Sequence, residues 1–342
     1  MKIRRKFLFS ILLLSLCFVS CRKNPYKVSV STIKADIEIK RLEKDLFTMN
    51  PEEITIKLPE LKDKYGNILQ LFSYAINTGD VNDPSFGDFL ARFCTDKQNN
   101  DVFSLTMKHF PELKSVERNL EYAFRHYKYY FPDKVVPEVF SCITGFNASI
   151  ITMSGEPALG IGLDKYLGAD CEYYPGLGIY TYMSARMKPE YIVPACMYGW
   201  GAAQWDFISM NYSADNVLAE MIHEGKLRYF VRCMLPEAED EIIFGFTPDQ
   251  MKFCRNNEGQ MWQYMVENDL FFKTDQFTIR KLVGDAPFTS YFTNESPGRA
   301  AVWLGFRIIE SYMNKNKGTS LESIMKDINV QEILEKARYN PQ

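Results

Sequence analysis

The chain has 342 residues, 46% of them apolar and 14% aromatic, which is enough to bury a large core and excludes a disordered protein. Its 40 Lys and Arg against 43 Asp and Glu give a formal net charge of −3. No basic stripe accompanies them, which excludes nucleic acid as the main partner.

The N-terminus reads as a targeting segment. Lys2, Arg4, Arg5 and Lys6 precede an apolar stretch of 14 residues, 7–20, shorter than the roughly 20 needed to span a bilayer. It closes on Phe18-Val19-Ser20-Cys21, a small residue directly before a cysteine. That is the form of a bacterial lipoprotein signal, with cleavage before Cys21 and acylation of its sulfur and amine by palmitate-class chains. Cys17 follows the bulky Leu16 and does not fit the cleavage site. Each buried CH₂ of such chains contributes about 0.8 kcal/mol, so the anchor would be effectively permanent. Cleavage removes four basic residues and no acidic one, leaving a mature charge of −7. Arg22-Lys23-Asn24-Pro25 carries no acidic residue beside Cys21, which favours an outer-membrane lipoprotein facing the periplasm. Membrane contact is expected through the lipid alone.

Residues 22–35 are polar and thin in large apolar groups, the composition of a tether. Residues 36–42 alternate with period two and predict a strand. From Pro51 to about Pro132 the period is helical, with polar loops expected at 77–84 and 96–101. Residues 136–143, 148–153 and 158–163 are short apolar runs separated by Gly, Asn and Ser-Gly, which predict a three-strand meander. The helical period then returns over about 189–200, 213–235, 247–267, 297–314 and 321–326. These elements make a single α+β domain over 36–342, a predominantly helical body around a small central mixed sheet.

The six cysteines beyond Cys21 are widely spaced and contain no CxxC. They read as small buried hydrophobes, with room for one bridge in an oxidising compartment.

Three motifs bear on chemistry. His223-Glu224 begins the pattern of a zinc-peptidase helix, but Leu227 stands where the second histidine belongs, and leucine cannot ligate. The competing reading pairs Glu224 with Arg228 at i, i+4 and leaves His223 a satisfied, partly buried imidazole. Any metal set would have to add Glu220, Asp164, His109 or His126 from elsewhere. In Ala158-Leu159-Gly160-Ile161-Gly162-Leu163-Asp164 the glycines mark close backbone approach at a strand, and Asp164 is a turn residue or a site at its end. Ser296 and Pro297 look like an N-cap and first helical residue. Beyond them Arg299, Trp303 and Arg307 form one stripe at i, i+4, i+8. That stripe is a possible functional surface, able to bind a carboxylate or clamp an acidic helix.

Several segments resemble the gliding-motility lipoprotein family called GldB. They are Ile161-Gly162-Leu163-Asp164-Lys165-Tyr166-Leu167-Gly168, Lys188-Pro189-Glu190-Tyr191, Gly225-Lys226 with Tyr229-Phe230, Asp285-Ala286-Pro287-Phe288, and Glu295-Ser296-Pro297-Gly298-Arg299 with Trp303-Leu304-Gly305. Behind this lies a fainter resemblance to zincin-type zinc peptidases, in which Glu224-Gly225 matches the third-ligand helix. The helix that should carry the other ligands falls near residues 192–198 and holds no His. The resemblance therefore implies a degenerate zincin-like fold without a cofactor. It also implies a lipid-anchored envelope protein, a non-catalytic accessory of gliding or the associated secretion machinery. The alternative is a zinc-dependent metallopeptidase using His223, Glu224 and Asp164.

Overall fold

The structure, a computed structural model, describes residues 24–341; the signal-like stretch and Cys21 lie outside the described residues. The stretch expected to be a tether lies on the body from its first described residue, with Val30 and Ala35 buried.

Strand β1 (Ile39–Arg41) is shorter than the alternating pattern and runs straight into α1 (Leu42–Phe47), which buries Leu42, Leu46 and, unusually, Glu43. Helix α2 (Pro51–Ile56) opens on a capping box between Asn50 and Glu53. Helices α3 (Leu58–Tyr65), α4 (Asn67–Ala75) and α5 (Phe86–Thr95) follow. Residues 96–101 are not the expected loop. Asp96 Oδ1 accepts from the Asn99 amide at 3.0 Å and starts α6 (Lys97–His109). A polar cap and a polar first turn have the composition of a loop, so the sequence pattern misled. Helix α7 (Lys114–Tyr130) buries Leu120, Ala123, Phe124, His126 and Tyr127.

The central runs form strands β2 (Glu138–Cys142), β3 (Ile150–Ile151) and β4 (Ala158–Gly162), but not a meander. The sheet order is β1-β2-β4-β3, with β1, β2 and β4 parallel and only β3 antiparallel. The reason is steric. Gly160 lies opposite Phe140 in the register, and the Phe140 ring occupies the space that a Cβ on Gly160 would need. A Cβ on Gly162 would run into the Ala148 carbonyl. The two glycines therefore fit β4 between β2 and β3.

After β4 come short helices α8 (Tyr173–Gly176) and α9 (Thr181–Ser184), then α10 (Ile192–Gln204) and α11 (Phe207–Met210). Helix α12 (Val217–Met234) is capped by Asn216, whose side chain accepts from the Ala219 amide at 2.9 Å. It is the axle of the body, packing on α7 and α10, and its buried residues include His223, Lys226, Arg228 and Arg232. The pattern over 247–267 divides after α13 (Asp240–Phe244) into α14 (Pro248–Asn256) and α15 (Glu258–Glu267). At the break the Asn257 side-chain amide donates to the Phe253 carbonyl at 2.8 Å, capping the first segment. Helix α16 (Gln276–Val283) also rests on α12.

Helix α17 (Ala300–Lys315) starts later than Ser296-Pro297 suggested. Arg299 is left-handed, with φ of 52°, and Thr289 from the preceding loop does the capping. Its hydroxyl donates to the Pro297 carbonyl at 2.7 Å and accepts from the Ala300 amide at 2.9 Å. Ser296 instead donates to the Thr293 carbonyl at 2.6 Å and accepts from the Thr289 amide at 3.1 Å, pinning the loop. A cap supplied from outside the local sequence leaves no local signature. Helices α18 (Leu321–Lys326) and α19 (Val330–Ala337) complete the described chain.

All six cysteines among the described residues are buried free thiols, so the bridge allowed for is not formed. No described helix is long and apolar enough to cross a membrane.

Candidate functional site

Helices α12 and α17 are the most extensively paired elements, and their crossing sets the site. Gly225 and Gly305 bring the two backbones into contact, which places the start of α17 beside the middle of α12. His223 and Glu224 fall about 100° apart on α12, and the structure sends them to different neighbours.

His223 faces α11 and the loop after it. Its Nδ1 lies 3.1 Å from the Tyr212 hydroxyl, and its ring meets Phe207 edge-on with centroids 5.1 Å apart. Lys226 donates to the same Tyr212 oxygen at 3.2 Å and also to the Asp327 carbonyl. That leaves the tyrosine proton to donate to Nδ1, which assigns the neutral imidazole tautomer. Burial, with the Lys226 charge beside it, pushes the His223 imidazole down to about 4. Burial likewise lowers the Lys226 ammonium to about 8, against a smaller upward pull from Asp327. One turn earlier, burial raises the Glu220 carboxyl to about 7, with Asp215 and Glu224 adding to the rise.

Glu224 faces α10. Its Oε1 accepts from the Tyr198 hydroxyl at 2.8 Å. Arg228, expected to pair with Glu224, does not contact it; its guanidinium lies over the Tyr198 ring, 4.3 Å from the centroid, and donates to the Ile243 carbonyl at 3.0 Å. The tyrosine stands between the two, donating to Glu224 and lying under Arg228, whose buried Nε is left without a hydrogen-bond partner among the described residues. Arg299 donates to the next carbonyl, Phe244, at 2.8 Å, and pairs with Asp285 at 3.1 Å. Arg186 reaches the same Asp285 oxygen at 3.1 Å. Three guanidiniums thus gather at the carbonyl end of α13, where the helix dipole favours positive charge. Burial, with Arg228 and Arg186 nearby, pushes Arg299 down to about 9, still cationic at neutral pH. The same arginines hold the Asp285 carboxyl below its ordinary value although burial works against them. With Glu224 and Asp285 as the carboxylates, the cluster keeps an excess of positive charge.

Asp164 is a turn residue. It is fully buried, and one oxygen accepts from the amides of Thr144 at 3.1 Å and Phe146 at 2.6 Å. Those bonds hold a loop in which Gly145 and Phe146 are both left-handed, with φ of 65° and 64°. Burial raises its carboxyl to about 6 despite the three donors around it.

The Arg299, Trp303 and Arg307 stripe does not act as one surface. Arg299 turns away into the arginine cluster. The Trp303 indole donates to Glu258 at 2.9 Å, and Arg307 pairs with the same carboxylate at 3.1 Å. Tyr339 donates to it at 2.8 Å. Trp303 and Arg307 together clamp the first residue of α15, and Arg299 has no part in it.

The metal-ligand set offered by the sequence is not assembled. His109 and His126 each bond a carbonyl one turn back in their own helices, those of Leu105 and Tyr122. Among the described residues no three His, Cys, Asp or Glu side chains converge. A cleft of about 470 Å³ between α7 and α10 is lined by His109, Tyr122, Pro189 and Val193, and neither His223 nor Glu224 borders it. Sequence reasoning missed Tyr198, Tyr212 and Arg186, because their partners lie on other elements that only the fold brings alongside. Asp285 was visible only as part of a motif.

No curated protein and no solved structure matches the chain, and no likeness to zincins is shown. The family model described as "Gliding motility protein GldB" matches residues 23–341, nearly the whole sequence. The chain belongs to the gliding-motility protein GldB family.

Proposed function

We propose that this protein is a lipid-anchored component of the cell envelope that serves gliding motility, or the secretion machinery associated with it, by binding and not by catalysis. The acylation site is Cys21, and the location is the outer membrane with the body facing the periplasm. The observation that carries the non-catalytic reading is the divergence of His223 and Glu224. A zinc peptidase needs its histidine on the metal and its glutamate at the water which that same metal binds. Here Glu224 is held by Tyr198 and His223 by Tyr212, on different sides of α12. The partners are other envelope proteins.

The test is complementation. A strain lacking the gene is given the wild-type gene or the variants His223→Ala and Glu224→Gln, and gliding or secretion is scored against protein abundance. Retained function at normal abundance supports the binding role. Loss of function at normal abundance, with a metal ion in the wild type that the variants lack, assigns the zinc peptidase instead.

A further inference from the structure

The N-terminal segment is docked. The Asn24 side-chain amide donates to the Pro236 carbonyl at 2.6 Å, and its oxygen accepts from the Tyr26 amide at 3.0 Å. Tyr26 carries the attachment into the body. Its hydroxyl donates to Glu310 of α17, its ring meets Tyr229 of α12 edge-on at 5.6 Å, and the Arg232 guanidinium sits 5.8 Å from the ring centroid. Lys27 then pairs with Glu237. Buried Val30 and Ala35 continue the strap towards β1.

This has a covalent consequence for an acyl chain on Cys21. Two residues, Arg22 and Lys23, lie between Cys21 and Asn24, and three extended Cα–Cα steps of at most about 3.6 Å each span roughly 11 Å in all. A chain of this size has a radius of gyration of about 20 Å. A leash shorter than the radius of the body cannot let it turn over on the membrane.

We propose that the face built from residues 24–27 and 236–240, with Arg307 and Glu310 of α17, lies against the lipid headgroup layer and fixes the orientation of the whole body. The proposal rests on the lipid anchor of the preceding section and adds to it a defined membrane-facing surface. The chemistry of that face suits headgroups and not acyl chains. A cleft of about 410 Å³ opens beside the strap, lined by Arg232 and Arg307 together with Glu237, Glu239, Asp240 and Glu310, with Arg232 paired to Asp240 and Arg307 to Glu310. Charges of both signs complement the phosphate and ammonium of a zwitterionic headgroup such as phosphoethanolamine. Envelope partners would therefore have to meet the protein at the membrane surface, on the faces the strap leaves free.

The experiment uses the full lipidated protein in vesicles of phosphatidylethanolamine and phosphatidylglycerol containing a headgroup nitroxide lipid. A fluorophore is placed through Glu239→Cys, or through Glu52→Cys on α2, which packs on α5. The described native cysteines are buried, so the introduced thiol takes the label. The expected result is quenching several-fold stronger at position 239 than at 52. A Gly/Ser insertion between Lys23 and Asn24, longer than the body's radius, should erase that difference while every docking contact stays in place. Tyr26→Ala should reduce it by loosening the strap. Equal quenching at both positions in vesicle-bound protein without the insertion overturns the orientation and leaves the anchor standing. Protein that fails to associate with the vesicles overturns the anchor, and the orientation with it.

Discussion

Gly225 and Gly305 touch backbone to backbone where α12 crosses α17. A Cβ on Gly225 would lie 2.6 Å from the Phe306 amide nitrogen and closer still to the Gly305 carbonyl, and a Cβ on Gly305 would run into the Met221 carbonyl. The obstructing atoms are main chain on both sides, so no side-chain rotation makes room. Gly225→Ala and Gly305→Ala should each cost about 2–3 kcal/mol by forcing the helices apart, even though Ala is the better helix former. Urea unfolding measures this. A change within about 0.5 kcal/mol, the usual range for a neutral surface site, would show that the crossing is looser than described.

Asp164 tests whether a buried carboxylate is needed for its charge or for its acceptors. Asp164→Asn keeps an oxygen for the Thr144 and Phe146 amides and should cost about 1 kcal/mol. Asp164→Ala leaves both amides without a partner and should cost about 3 kcal/mol or more. Equal losses in the two variants would mean that charge, not hydrogen bonding, matters there.

Glu224→Gln should be mild, about 1 kcal/mol or less, because the amide oxygen still accepts from Tyr198. Glu224→Ala strands the Tyr198 hydroxyl, and Tyr198→Phe removes it. A double-mutant cycle between the two positions should give a coupling of about 1 kcal/mol. Zero coupling would indicate that the hydroxyl and the carboxylate do not meet in solution.

Stability should respond to pH through two groups of opposite sign on α12. The folded Glu220 carboxyl, raised from 4.5 to about 7, faces Asp215 and Glu224. Its stabilising share is complete below about 4.5 and is lost as pH rises through 7. Glu220→Gln should therefore gain about 1 kcal/mol over wild type at pH 8 and nothing at pH 4, a modest figure because Glu220 is only half-buried and water screens it. The His223 imidazole, lowered from 6.5 to about 4, faces Lys226 and Asp206. Its share is present above about 6.5 and is lost as pH falls towards 4, so His223→Gln should flatten the acid side of the curve. Urea midpoints between pH 4 and pH 8 separate the two, and an unchanged alkaline side in Glu220→Gln would refute the first.

Cys21→Ala should abolish acylation, because the sulfur is the acceptor and signal cleavage follows its modification. The precursor should accumulate or the protein should be recovered in soluble form. Normal retention of the variant in membranes washed with high salt would place the anchor elsewhere.

The sequence by itself determined the features that are local or periodic. The helical period gave most of the helices, and Gly160 and Gly162 announced a strand that another chain segment approaches closely. The family was legible in the motifs from residue 161 to 305, and the separation of His223 from Glu224 followed from helix geometry alone. The tertiary structure decided what depends on partners distant in the chain. The strand order rests on Phe140 meeting Gly160, and the start of α17 on a cap supplied by Thr289. The pairing of Glu224 passed from Arg228, four residues away, to Tyr198 on another helix. Residues 24–35 read as a tether because their composition is polar, yet they are docked by Pro236, Glu237 and Glu310. A polar segment carries no mark of whether its hydrogen bonds go to water or to the body, since both satisfy the same donors and acceptors.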